Sequence, residues 1–322
     1  MHRQRRHDRG RGGPAAGTRR TSRPRAHGLE PRPPGGATLG PVVTPTEIQA
    51  LLERHGLAAH KGRGQNFLHD AQLADKLAAL AGVGPGDAVL EIGTGLGILT
   101  RALAARARHV VTVEVDSGLV RALEAEQSLP SGVELRHEDA LALDWEALLG
   151  SAPGPWRVVA NLPYSVATPI LRRLLDLAGE LAGWGVMVQR ELALRIAAPV
   201  GSGDYGSFSV LHQLSARIDG ALDLHGRCFY PVPRVVSRFL SMVPRGDERP
   251  SPDELRAIEE VVRAGFAHRR KTLANALKRA GGRDPSVLAH AFAALGIEAR
   301  ARAETVPPET WRELTRELRD HG

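Results

Sequence analysis

Cys228 is the single cysteine in this 322-residue chain. That excludes a disulfide framework and any cysteine-based zinc site within one chain, and it fits a reducing compartment. None of the thirteen histidines stands at H-x-x-x-H spacing from another, so no helical metal pair is legible and no metal is expected. No uninterrupted apolar run reaches the length of a membrane span. A soluble, cytoplasmic protein with no membrane partner is the expectation. The length allows one or two domains with a sizeable core.

What is present in excess is basic charge, and it is unevenly placed. The formal charge is +7. Residues 1–46 hold 10 basic and 2 acidic side chains, residues 47–150 hold 9 and 15, and residues 151–322 hold 24 and 19. Basicity therefore lies in the N-terminal tail and the C-terminal half, compatible with a polyanion meeting one side of the molecule or with ordinary solvated charge. Residues 1–44 are rich in Arg, Gly and Pro with almost no apolar periodicity. They cannot bury enough surface to offset the entropy of ordering, and disorder is expected. An RNA-binding arm, a transit peptide and an extension from an upstream start codon compete for this segment. It is neither amphipathic nor Ser-rich, and a dispensable extension is the expected reading.

Thr44-Pro45-Thr46-Glu47 predicts a helix start running through Glu53. The stretch Lys61-Gly62-Arg63-Gly64-Gln65-Asn66-Phe67-Leu68-His69-Asp70 reads as a loop, with Asp70 capping a helix over 71–81. Phe67 and Leu68 either cover a ligand or anchor the loop. Next, a strand over 88–92 meets Gly93, Gly95 and Gly97 and then a helix through Arg106. Glycines at G-x-G-x-G spacing let the backbone turn tightly against a ligand. A dinucleotide loop wants its third glycine one residue later. The strand over 109–114 ends on Glu114, about 20 residues past the first glycine, where a carboxylate can accept ribose hydroxyls. A third strand over 133–137 leads to Asp139, placed to receive an adenine amino group. Together these predict a nucleoside-cofactor site, for NAD or S-adenosylmethionine.

The run 158–160 breaks at Asn161-Leu162-Pro163-Tyr164, so the motif sits where a strand ends in a loop. An amide, a carbonyl oriented by Pro163 and an aromatic face suit a flat base bearing an NH2 group. A bare strand-end turn is the alternative.

These motifs in order, joined by Val188-Gln189-Arg190-Glu191, Asp204 to Val210, Phe229 to Ser237 and Phe266 to Leu277, resemble the small-subunit rRNA adenine dimethyltransferases over roughly 45–322. Departures are Thr94 where that family usually has Pro, Ser165 where Asn is common, and Val236 where Asp is frequent. The resemblance implies an α/β fold: a Rossmann-like class I methyltransferase sheet, mostly parallel and seven-stranded with one antiparallel strand, plus a small all-helical C-terminal domain. The expected division is a tail (1–44), a methyltransferase domain (45–245) and a helical RNA- or ribosome-binding domain (246–322). Extended runs at 208–214 and 237–243, and helical periodicity from Ser251, fit that scheme.

Carried over by motif, Asn66, Leu68, Gly93, Glu114, Asp139 and Asn161 would contact S-adenosylmethionine. Asn161, Leu162, Pro163 and Tyr164 would form the catalytic set, Asn161 and the Leu162 carbonyl accepting the N–H bonds of adenine N6 while Tyr164 stacks on the base. Candidate phosphate contacts are Arg227, Arg234, Arg238, Arg269, Arg270, Lys271, Lys278 and Arg279; Leu273 and Leu277 are expected in the core. The implied activity is N6,N6-dimethylation of two adjacent adenosines in the 3′-terminal hairpin loop of 16S rRNA during small-subunit assembly, by a monomer acting on the small subunit. Alternatives are a resistance-type 23S rRNA adenine methyltransferase and a non-catalytic RNA-binding assembly factor. A nicotinamide oxidoreductase conflicts with the glycine spacing.

Overall fold

Capping chemistry sets the first helix. The Thr44 hydroxyl accepts the Glu47 N–H and the Glu47 carboxylate accepts the Thr44 N–H, so α1 (Pro45–Arg54) begins on a capping box. The computed structural model describes residues 44–59, 65–268 and 270–320; the expectations for the tail, for positions 61–64 and for Arg269 lie outside the described residues. After β1 (Phe67–Leu68) comes α2 (Ala71–Leu80), where the Asp70 carboxylate accepts the Leu73 N–H as expected of a cap. Strands and helices then alternate: β2 (Ala88–Ile92), α3 (Ile98–Ala104), β3 (His109–Glu114), α4 (Ser117–Ala125), β4 (Val133–His137), α5 (Trp145–Leu149), β5 (Trp156–Asn161), α6 (Ala167–Asp176), β6 (Leu181–Gln189) and α7 (Arg190–Ala197). The chain continues through α8 (Ser207–Ser215), β7 (Ala216–Leu224), β8 (Phe229–Tyr230) and β9 (Ser237–Pro244). Four helices follow: α9 (Pro252–Phe266), α10 (Leu273–Gly281), α11 (Pro285–Ala294) and α12 (Pro308–Asp320).

Among the described residues, seven strands form one sheet in the order β4-β3-β2-β5-β6-β9-β7, with β9 alone reversed against its neighbours β6 and β7. This is the mostly parallel sheet with one antiparallel strand that was expected. Strand β2 is buried along its whole length and β5 nearly so, which is why both read as apolar runs. At the edges, β4 has only half-buried and exposed positions, and β7 is buried only at its two ends. From β2 the chain moves outward to β3 and β4, then returns to β5 on the other side. The sheet's switch point therefore lies between β2 and β5, and the crevice beyond their carboxyl ends is where such a sheet holds ligands.

One expectation fails. Residues 208–214, read as extended, belong to helix α8, and the neighbouring edge strand is β7. Ser209, Val210, Leu211, His212, Leu214 and Ser215 are all buried, and a helix covered on most sides loses the 3.6-residue stripe that identifies one. Strand β7, carrying Arg217, Asp219 and Asp223, is hidden for the opposite reason: it is a mostly exposed edge strand without a clean apolar alternation.

The C-terminal helices begin where prolines and caps place them: Ser251 accepts the Glu254 N–H ahead of Pro252, and Asp284 accepts the Ser286 N–H ahead of Pro285. Leu273 and Leu277 are buried, as expected, in an apolar core that runs without a break from β2 and β5 through α6 and α8 to α12. Trp311 of α12 is fully buried, stacked on Phe266 with ring centroids 5.6 Å apart. It fits because Gly265 has no side chain: a Cβ there would lie 2.3 Å from the Trp311 ring. We expect Gly265→Val to cost about 1–3 kcal/mol by overpacking, read as a lower urea midpoint; an unchanged midpoint would show that the ring can move aside.

Candidate active site

A cavity of about 370 Å³ opens at the carboxyl ends of β2, β3, β4 and β5. Every predicted cofactor contact (Asn66, Leu68, Gly93, Glu114, Asp139 and Asn161) and all four residues of the Asn161–Tyr164 motif line it. They come from five separate segments, and the switch-point topology is what brings them to one place.

The glycine loop forms its floor. Gly93 has φ 82° and Gly95 φ 57°, left-handed values that side-chain-bearing residues rarely adopt. A Cβ on Gly95 would also press to 3.3 Å from the Phe67 ring. The Gly93 N–H donates to the Val113 carbonyl at 2.9 Å, tying the loop to β3. Glu114 is buried, and each of its oxygens accepts one backbone N–H: Gly95 on Oε2 and Asp116 on Oε1, both at 3.0 Å. Burial raises its carboxyl above the usual range, and those two bonds oppose the rise. Each oxygen keeps further acceptor capacity, the property needed to receive two ribose hydroxyls. Across the cavity Asp139 is exposed, and its Oδ1 accepts the Leu141 N–H at 2.9 Å.

Asn161 is the last residue of β5. Its Nδ2 donates to the Asn66 carbonyl at 3.0 Å. A carbonyl can only accept, so this contact fixes which way the amide points and leaves Oδ1 as the acceptor. The next residues are equally tied down. The Leu162 N–H donates to the Met187 carbonyl at 3.1 Å and its side chain is buried, while the Val166 N–H closes a turn on the Pro163 carbonyl. The Tyr164 hydroxyl meets the buried Ser237 Oγ at 3.0 Å, holding the phenol against the start of β9.

Phe67 and Leu68 do more than anchor a loop. Both are buried, both line the cavity, and β1 pairs antiparallel with β8 through Phe67–Tyr230 and Leu68–Phe229. The pairing carries Phe229 into the same wall. Phe229 stands in one of the resembling motifs without a predicted role; an aromatic just ahead of the Pro231–Pro233 turn gives no local sign of where it points.

Glu91 was also missed. Fully buried in β2, it lines the cavity, and its Oε2 accepts the hydroxyls of Thr100 (2.6 Å) and Thr112 (2.7 Å). Thr94, the departure in the glycine loop, joins this chain through Thr112 Oγ1 at 2.7 Å. Burial pushes the Glu91 carboxyl up to about 8, against the lowering effect of the two hydroxyls. A lone acid inside an apolar strand was the available signal.

The phosphate-contact candidates fall in two places. Arg227 and Arg234 are exposed beside β8, whereas Arg238 is held in a two-pronged pair with Asp223 (2.6 and 2.8 Å). Arg270, Lys271, Lys278 and Arg279 are exposed at the α9–α10 turn and on α10. No helix among the described residues is long and apolar enough to cross a membrane.

Residues 56–320 match the family model described as ribosomal RNA adenine dimethylase. The chain is 41% identical over 284 residues to the ribosomal RNA small subunit methyltransferase A of Moorella thermoacetica, covering 86% of this chain and 98% of that protein. It is 36% identical over 271 residues to the protein of that name from Geobacillus kaustophilus, covering 82% and 92%. In backbone, it is similar to a dimethyladenosine transferase from Plasmodium falciparum (TM-score 0.67, 20% identity, 79% of this chain and 98% of the other). It is likewise similar to the 23S rRNA methyltransferase ErmE (TM-score 0.59, 27% identity, 79% and 100%).

Proposed function

Since this chain belongs to the ribosomal RNA adenine dimethylase family, we propose that it dimethylates N6 of two adjacent adenosines in the 3′-terminal hairpin loop of 16S rRNA, acting as a monomer on the small ribosomal subunit in the cytoplasm. The observation that carries the chemistry is the fixed Asn161 amide, whose Oδ1 is left to accept an N–H. The cavity's donor set suits a nucleoside cofactor: spare acceptor capacity on Glu114, an exposed carboxylate at Asp139 and a glycine floor. S-adenosylmethionine, when bound there, supplies the methyl group as an electrophilic sulfonium. Glu114 would hold its ribose and Asp139 its adenine amine, with Asn66, Leu68 and Gly93 shaping the rest.

The acceptor N6 is a weak nucleophile because its lone pair is delocalised into the ring. Asn161 Oδ1 and the Leu162 carbonyl accept its two N–H bonds, favour a pyramidal nitrogen and aim the lone pair. Tyr164 stacks on the base, its hydroxyl pinned by Ser237. Positioning and electrostatic complementarity supply the acceleration. Once the methylated nitrogen has released one proton to solvent a single N–H remains, so one acceptor contact is lost and the nitrogen must turn with its new methyl inside the same clamp. Exposed Arg227, Arg234, Arg270, Lys271, Lys278 and Arg279 are the phosphate contacts of this reading.

ErmE's likeness keeps large-subunit rRNA as a second reading; the 36–41% identity to small-subunit enzymes over more than four-fifths of the chain favours the first. Labelled S-adenosylmethionine incubated with unmethylated small subunits, large subunits, naked rRNA and DNA separates them. We expect label on adenine N6 of small-subunit rRNA. Label confined to large subunits or DNA would overturn the assignment.

A further inference from the structure

The segment joining β8 to β9 has both ends in the active-site wall: Phe229 and Ser237 line the cavity. Between them stand Val232, Val235 and Val236, 67%, 43% and 49% exposed. Seven large apolar side chains are exposed among the described residues, and three of them fall on these few positions at the mouth of one cavity. Single exposed valines need no explanation, but a cluster rimmed by polar groups marks a surface that meets something.

This segment is braced. Tyr230 and Phe229 pair with β1, and the His69 N–H and Nε2 engage the carbonyls of Cys228 and Arg227 at 3.2 and 2.9 Å. On the other side, the Arg190 N–H holds the Val236 carbonyl at 2.9 Å. Pro231 and Pro233 stiffen the backbone between these anchors. The valines are thus presented on a fixed ridge.

Its surroundings select the partner. Arg227 and Arg234 are exposed on the same segment, and neither forms an ion pair with a carboxylate among the described residues. The nearby acid, Asp223, is neutralised by Arg238 and Arg190. Rigid apolar side chains flanked by free guanidinium groups complement a nucleic-acid strand, whose base faces are apolar and whose backbone is anionic. A base entering the cavity must leave its stack, exposing the faces of its neighbours.

We propose that Val232, Val235 and Val236 form a wedge that packs against the RNA bases flanking the target adenine and fills the gap left by its eversion, while Arg227 and Arg234 hold the adjoining phosphates. This rests on the RNA-methylating reading above and adds a contact outside the catalytic clamp.

Two measurements test it. The triple substitution Val232→Ser, Val235→Ser, Val236→Ser changes exposed positions only. Its kcat/KM on unmethylated small subunits should fall on the order of tenfold or more, with affinity for S-adenosylhomocysteine unchanged. In a Cys228→Ser background, Val235→Cys carrying a benzophenone should crosslink to nucleotides next to the methylated adenines. Unchanged kcat/KM in the triple variant, or a crosslink to a ribosomal protein or to distant rRNA, would overturn the wedge. A wild-type protein that leaves small-subunit adenines unmethylated would overturn the function reading instead.

Discussion

Asn161→Ala lowers methyl transfer by about 10²–10³-fold or more at saturating cofactor, while RNA affinity stays near that of the unaltered protein. The loss follows from the geometry. Asn161 Nδ2 is committed to the Asn66 carbonyl, so Oδ1 is pre-aimed and needs no reorganisation when the amine arrives. Alanine removes the acceptor and leaves one N–H of a poor nucleophile unpaired inside a confined site. Asn66→Ala provides the contrast. The bond to Asn161 uses the Asn66 backbone carbonyl, which alanine keeps, so that variant should weaken cofactor binding with kcat largely retained. Single-turnover rates at saturating cofactor separate the two. Normal turnover in Asn161→Ala would refute the clamp.

The second large effect is on stability. Glu91 is fully buried, with a carboxyl pushed from 4.5 up to about 8. The folded protein keeps a proton that the unfolded chain releases, so stability is greatest below the unfolded value and falls as pH rises toward 8. Buried His212 works against this at the low end. Its imidazole is lowered to about 4 by burial, so it adds stability as pH rises to its ordinary value of 6.5. Above that point its contribution is constant and Glu91 remains. Between pH 6.5 and 8 the wild-type protein should lose about 2 kcal/mol relative to Glu91→Gln, measured by urea unfolding without cofactor. Parallel profiles for the two proteins would mean that Glu91 titrates normally.

Much of the site was legible because its parts are local. Strand ends that meet glycine (Gly93), acid (Glu114, Asp139) or amide (Asn161) are short-range signals, and the switch-point rule says where such ends converge. Asp70 and Pro252 could be read for the same reason, since a cap or a proline acts within one turn. What stayed hidden depends on partners distant in sequence. The Glu91 hydroxyl shell joins residues from three elements, and Arg238 meets Asp223 only when β7 lies beside β9. Phe229 reaches the cavity through a pairing with β1, about 160 residues earlier. Helix α8 was misread for a different reason: burial on most sides erased its period.

The unbroken apolar core from β2 to α12 gives the molecule the character of a caliper. On the function proposed above, one jaw is the Asn161 clamp and the other the exposed basic face of α10, and both rest on that one buried core. A tool of fixed gauge reads distance. We expect an RNA that offers an adenine to the first jaw to be methylated faster when it carries phosphate at the matching span, so a folded small subunit should outcompete a loose strand of the same sequence.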